Sequence, residues 1–429
     1  MPRFGFIPFI QYLLTFQDML NKFTRTAGIS ILGASLMFLL AACADGPIDQ
    51  QTDTPTDQEV AEESNTIKVG AIFPLTGDGA AYGDPLQKVA QIALEEVNAA
   101  GGVNGKEIEF IWEDGKCNGA DAANAARKLI EVDQVKVIFG GFCSGETLAV
   151  APLAEAAKVI VLSPGSSSPD ITTAGDYIFR NYPSDAKQGK VIGEEANNKG
   201  YAKVAMLTEQ NDYTIGIQNV FSEHFTGEIV SETYLPDDSD FRTALVKLQA
   251  EEPDALFINP QTPTKADLIF KQIEEMDWDV DMIGNDVVAG YQDLTTKYAD
   301  LVEGMLVAEF AFDRSNPDFI ALEEEYKSRT GTDLPYGTYA STTYDAVSIV
   351  KDMLAVSETD TDAMKNFLYG ISGRTGLSGS LTMDSNGDPN FEHRLETIVG
   401  GEVVPYESEG SMTEEGDAME NESMEEAEA

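Results

Sequence analysis

The sequence predicts an α/β protein of two lobes, each a parallel sheet flanked by helices. Three observations lead there. Short apolar runs alternate with stretches whose apolar residues recur at i, i+3 and i+4. The alternation restarts after Tyr182-Pro183, and the roughly 341 residues between positions 66 and 406 divide into halves of about 170, each large enough for its own core.

The chain opens with a targeting segment. Ala27 to Ala42 is a 16-residue apolar run behind Lys22 and Arg25, and the residues that follow turn abruptly polar. Residues 1–42 therefore read as a signal peptide and not as a membrane span, which needs about 20 apolar residues. Met19 would itself start a conventional signal peptide. Leu40-Ala41-Ala42-Cys43 resembles the bacterial lipobox, which implies cleavage before Cys43 and lipid attachment to its sulfur. Residues 43–65 are expected to form an acidic linker and residues 407–429 a disordered acidic tail.

The body starts with a strand from Ile67 to Pro74. A helix carrying Leu86, Val89, Ala90, Ala93, Leu94 and Val97 follows, with Asp84 as N-cap, Pro85 in the first turn and Gly101-Gly102 as the stop. Strands at 107–112, 135–140 and 159–163 then alternate with helices at 121–132 and 146–157. Beyond Pro183 come helices at 185–198, 215–225, 241–251 and 265–276, with strands at 203–208, 228–233 and 255–258 between them. Long helices at 317–329 and 338–355 follow, and 381–384 with 391–398 is expected to be a hairpin about Ser385-Asn386-Gly387.

Charge and composition narrow the function. The chain has 74 acidic and 28 basic residues, a net charge of -46, of which -31 lies in residues 66–406. Such a surface repels nucleic acid phosphates and anionic head groups, and disfavours phosphate or dicarboxylate cargo, whereas a zwitterion feels little net force. Two histidines, His224 and His393, and three cysteines leave little material for a transition-metal site or a histidine triad. No metal, cofactor or catalytic set is expected.

Four segments invite a chemical reading. Gly77-Asp78-Gly79 sits between strand and helix as a dinucleotide fingerprint would, but Tyr82 occupies the third glycine position. Gly141-Phe142-Cys143-Ser144-Gly145 has the spacing of a nucleophile elbow with cysteine as nucleophile, the basis of a hydrolase alternative. Cys117 in the same lobe opposes it, since in an exported protein two such cysteines more often form a disulfide. Asp384-Ser385-Asn386-Gly387-Asp388 has the acids of a calcium loop with the glycine misplaced, and reads as a turn. The hydroxyl-rich Ser163-Pro164-Gly165-Ser166-Ser167-Ser168 follows a strand at the carboxyl edge of a parallel sheet, where open α/β folds bind ligands.

Together these pieces resemble a type I periplasmic binding protein, specifically the branched-chain amino acid receptors of ABC importers. The resemblance spans Ile67 to Tyr406. It rests on Gly70-Ala71 through Pro74-Leu75-Thr76-Gly77 with Ala81-Tyr82-Gly83-Asp84, on Asn98 through Gly105, on Cys117 with Cys143-Ser144, on the Ser163-Pro164 loop, and on Thr342-Thr343-Tyr344-Asp345-Ala346. It implies two Rossmann-like lobes joined by three crossovers near 181–183, 308–312 and 377–380. Lobe 1 would comprise 66–181 plus 312–380, and lobe 2 would comprise 182–311 plus 381–406.

The same resemblance implies that Ser144, Ser167 and the Ser166 amide hold a ligand α-carboxylate. The Gly165 carbonyl, the Ser167 hydroxyl and Asp286 would receive its ammonium, while Tyr82, Phe142, Tyr213 and Tyr339 enclose its side chain. Asp286 stands where glutamate is usual and Gln261 where an aromatic is common, which keeps receptors for short amides or other small solutes as an alternative. The implied protein is an exported, lipid-anchored monomer at a bacterial membrane, in the periplasm or on the outer face. Its expected partners are an amino acid ligand, an ABC permease and the lipid bilayer, with no nucleic acid.

Overall fold

A computed structural model describes residues 65–407. The signal segment, the Cys43 lipidation site, the linker up to residue 64 and the tail from residue 408 lie outside the described residues.

The first sheet has order β2-β1-β3-β4-β5 and every pair is parallel. Its strands are β1 (Thr66–Phe73), β2 (Glu107–Asp114), β3 (Val137–Gly140), β4 (Ile160–Ser163) and β5 (Ile178–Arg180). Helices α1 (Ala80–Ala99), α2 (Gly119–Arg127) and α3 (Ser144–Ala157) make the crossovers. Strands β3 and β4 are buried at every position, as a sheet covered on both faces requires.

Helix α1 begins one turn earlier than the Asp84-Pro85 pair suggests. The Gly79 carbonyl already accepts the amides of Tyr82 and Gly83, so the first turn forms ahead of Pro85. Asp84 pairs instead with Lys88 at 2.6 Å on the helix surface.

After Pro183 the chain builds a second sheet. Helix α4 (Asp185–Asn198) leads into β6 (Lys203–Glu209), α5 (Asp212–His224), β7 (Glu228–Tyr234), α6 (Arg242–Ala250), β8 (Ala255–Asn259) and α7 (Pro263–Glu275). β9 (Asp281–Gly284), the short α8 (Asp286–Ala289), α9 (Gln292–Lys297) and β10 (Leu306–Phe310) complete the passage. The chain then returns to the first sheet with α10 (Pro317–Thr330), α11 (Gly337–Val356) and α12 (Thr361–Tyr369); α10 and α11 pack on α1, and α12 on β4. A hairpin of β11 (Arg374–Gly376) and β12 (Gly379–Leu381) precedes β13 (His393–Val399) and β14 (Glu402–Pro405). The second sheet runs β14-β13-β10-β9-β8-β6-β7, parallel from β10 to β7 and antiparallel at the β13-β14 edge.

The hairpin expected about Ser385-Asn386-Gly387 is therefore corrected. Met383 bridges Pro389 around that turn, but β13 pairs with β10 on one side and β14 on the other, which leaves it no edge for residues 381–384. Its tight turn is Gly400-Gly401, where φ values of 58° and 86° suit a two-residue connection.

Candidate functional site

The carboxyl ends of β3, β4, β8 and β9 face one cleft between the sheets. A small cavity is lined there by Tyr82, Phe142, Cys143, Ser144, Gly165, Ser167, Tyr213, Gln261, Val287 and Tyr339. Tyr82, Phe142, Ser144, Gly165, Ser167, Tyr213, Gln261 and Tyr339 were singled out from the sequence. Asp286 and Ser166 stand directly behind this lining.

The floor is a knot of hydroxyls on the first sheet. Ser163 Oγ and Ser166 Oγ both donate to the Gly141 carbonyl, at 2.7 and 2.8 Å, which ties the loop after β4 to the loop after β3. The Ser166 amide donates to Ser163 Oγ at 3.0 Å, so Ser166 supports the wall and does not face the cavity. Ser144 Oγ accepts the amides of Ser167 and Ser168 at 3.2 and 3.1 Å. It stands at the first residue of α3, whose positive end therefore points at the cavity. Gly165 is needed for close approach, because a Cβ there would lie 2.4 Å from the Phe142 ring.

Two anchors hold this floor. Cys117 and Cys143 form a disulfide, and the buried Glu146 carboxylate accepts the amides of both residues at 2.9 Å. Burial pushes the Glu146 carboxyl up to about 8 against the pull of those amides. Arg180 is fully buried and binds both oxygens of Asp388, at 2.7 and 2.9 Å, and the Ser168 carbonyl at 2.8 Å. It also donates to Thr172 at 2.9 Å. The turn at 384–388 thus delivers Asp388 to Arg180, while Asp384 accepts the amides of Asn386 and Asp388.

The opposite wall is organised around Asp286. Asn285 just before it donates to Asn259 and to the Pro260 carbonyl at 3.0 and 2.8 Å, which fixes the start of α8 against β8. The Asp286 carboxylate is buried and accepts three phenols: Tyr182 at 3.0 Å, Tyr339 at 2.7 Å and Tyr213. Burial and the Asp286 charge hold these phenols well above their ordinary range, so they stay protonated donors. Tyr182 stacks on Tyr339 at 4.6 Å, and Tyr82 lies 4.8 Å from Tyr336 and 5.6 Å from Phe142.

Contacts cross the cleft at its mouth. Tyr82 donates to the Gln261 carbonyl at 3.2 Å, and Lys265 pairs with Asp78 at 3.0 Å. Gly77-Asp78-Gly79 thus contributes an acid to the cleft rim. Deeper, Thr342 donates to the Pro164 carbonyl and Asn181 to the Thr342 carbonyl, both at 2.7 Å, where the crossover after β5 meets α11.

The model of the periplasmic binding protein family matches residues 66–396. The chain belongs to that family. It is 28% identical over 337 residues to the leucine-, isoleucine-, valine-, threonine- and alanine-binding protein of Pseudomonas aeruginosa, covering 77% of this chain and 89% of the relative. A branched-chain amino acid transporter substrate binding protein of Streptococcus pneumoniae, solved with isoleucine, is 30% identical with a TM-score of 0.70, covering 80% of this chain and 100% of the other. A leucine binding protein of Thermotoga maritima is 27% identical with a TM-score of 0.71, covering 80% and 98%. Among the described residues no helix is long and apolar enough to cross a membrane.

Sequence reasoning missed Tyr182, Val287, Arg180, Glu146 and Asp388. Arg180 carried a signal, being the one charge in an otherwise apolar strand, and Cys143-Ser144-Gly145-Glu146 has the spacing of a capping box. Tyr182 and Val287 carried none, because only the fold brings them to the cleft.

Proposed function

We propose that this chain is an extracytoplasmic receptor that binds an aliphatic amino acid between two lobes and delivers it to an ABC permease. One observation carries the reading. The cavity sets hydroxyls at a helix N-terminus opposite a buried carboxylate, with aromatic rings between them, the arrangement a zwitterion with an apolar side chain requires. Ser144 and Ser167 take the ligand carboxylate, with Ser166 as support. Asp286 and the Gly165 carbonyl take the ammonium. Tyr82, Phe142, Tyr213, Gln261 and Tyr339 enclose the side chain. The lobes are residues 66–181 with 312–380 and 182–311 with 381–406. The receptor works as a monomer tethered through a lipid on Cys43.

Gln261 lines the cavity and gives it one amide among rings, which favours admission of threonine and other small polar side chains beside leucine, isoleucine and valine. Cys143 carries its sulfur in the disulfide and has no thiolate to offer, which weighs against hydrolysis.

Calorimetry with a panel of amino acids tests the proposal. Saturable 1:1 binding of at least one aliphatic member is expected, and Asp286→Ala should weaken it about a hundredfold or more, since an ammonium would be left buried without its partner. Silence across the whole panel would sink the reading.

A further inference from the structure

A lysine at the rim of the cleft sits where its own helix disfavours it. Lys265 is in the first turn of α7, whose N-cap Thr262 accepts the Lys265 amide at 3.3 Å, and a cation at that end opposes the helix dipole. Its side chain is also buried, with 6% of its surface exposed. The groups that offset both costs come from other elements. Lys265 Nζ donates to the Asp238 carbonyl at 2.9 Å, and it pairs at 3.0 Å with the half-exposed Asp78, which belongs to the loop between β1 and α1 on the far side of the cleft.

A third charge supports the pair. Glu209 ends β6, is buried, and accepts the Gln261 amide at 2.9 Å and the Tyr234 phenol at 3.3 Å. Burial pushes the Glu209 carboxyl up; the Gln261 amide, the Lys265 charge and the Tyr234 phenol pull it down, and Asp78 adds to the rise, so the three charges share one neighbourhood. One cation thus stands between two carboxylates, one from each side of the cleft. When the sides part, Glu209 stays with Lys265 and Asp78 leaves. Glu209 also fixes the backbone of Gln261, whose carbonyl accepts the Tyr82 phenol from across the cleft. Asp78, Lys265 and Glu209 all stand outside the cavity lining, so a ligand held there does not touch them.

We propose that Asp78 and Lys265 form a latch across the cleft mouth, positioning residues that hold its two sides together and set how long an amino acid stays bound. Opening breaks the pair, and the cost is the same whichever side chain the ligand carries. A bound ligand leaves only through the open form, so the latch acts on dissociation and on the share of molecules that are closed. Asp78 is half-exposed, so added salt screens the pair and loosens the latch. This inference rests on the amino acid reading above.

The test is stopped-flow fluorescence of the folded protein releasing L-isoleucine and L-leucine. Asp78→Asn should release both about fivefold to tenfold faster than the wild type, by the same factor for each. Raising sodium chloride from about 50 mM to about 500 mM should speed wild-type release severalfold and leave Asp78→Asn nearly unchanged. Adding Asp78→Asn to Lys265→Gln should bring no further acceleration, since the pair is already broken. Wild-type rates in Asp78→Asn overturn the proposal, as does a salt response equally large in both proteins or an additive effect in the double variant. Failure of every amino acid to bind overturns the receptor reading instead. The latch is then decided on the empty protein by amine acetylation read through peptide mass spectrometry. Asp78→Asn should raise acetylation of Lys265 severalfold, and equal labelling in the two proteins overturns the latch.

Discussion

His393 gives a stability prediction that does not depend on the ligand. It opens β13 opposite Phe310, it is buried, and neither ring nitrogen has a partner among the described residues. Burial drives the imidazole down from 6.5 to about 4, with Lys187 and Arg180 acting in the same direction and Asp286 and Glu392 against it. The folded protein thus keeps His393 neutral where the unfolded chain protonates it. The stability contributed is complete above the unfolded value near 6.5 and is lost as the pH falls towards 4. A shift of about two and a half units at 1.36 kcal/mol each amounts to about 3 kcal/mol. His393→Gln removes the titrating group, so urea unfolding at steps from pH 7 to pH 4 should show the wild type losing about 3 kcal/mol more than the variant. Other titrating groups are common to both proteins and cancel in the comparison. Parallel pH profiles would refute the reasoning.

Three further outcomes are expected. Gly165→Ala forces the Phe142 ring aside and should cost about tenfold in affinity for L-isoleucine by calorimetry, with a stability loss of about 1–3 kcal/mol typical of overpacking. Arg180→Lys cannot span both Asp388 oxygens and the Ser168 carbonyl, and urea unfolding should report a loss of about 3 kcal/mol. Replacing Cys117 and Cys143 together by serine opens a loop of 26 positions and should lower stability by about 3 kcal/mol, while free-thiol titration of the unfolded, unreduced wild type should detect neither thiol.

Strands β1 to β4 of the first sheet and β6, β7 and β8 of the second were legible as runs of apolar and β-branched residues between amphipathic helices of a different period, whereas β5, β9, β10 and β14 were not read. Helix 185–198 was read to the residue, since Ser184 caps it and Gly200 closes it. The antiparallel edge was not legible. Ser385-Asn386-Gly387 is a sound local turn signal, yet the partner of β13 is set by β10, some eighty positions earlier, and no local pattern records that choice. The cleft divides in the same way. Hydroxyls and aromatic rings next to strand ends announced themselves, whereas Arg180 with Asp388, and the phenol of Tyr182 on Asp286, are pairings across 208 and 104 positions.

The disulfide has a consequence for where the cleft can work. Cys143 lines the cavity, and the residue after it begins the helix that faces the ligand, so the bridge to Cys117 braces the binding surface itself. In a reducing cytoplasm that brace is missing. The bridge thereby ties the shape of the binding surface to an oxidising compartment.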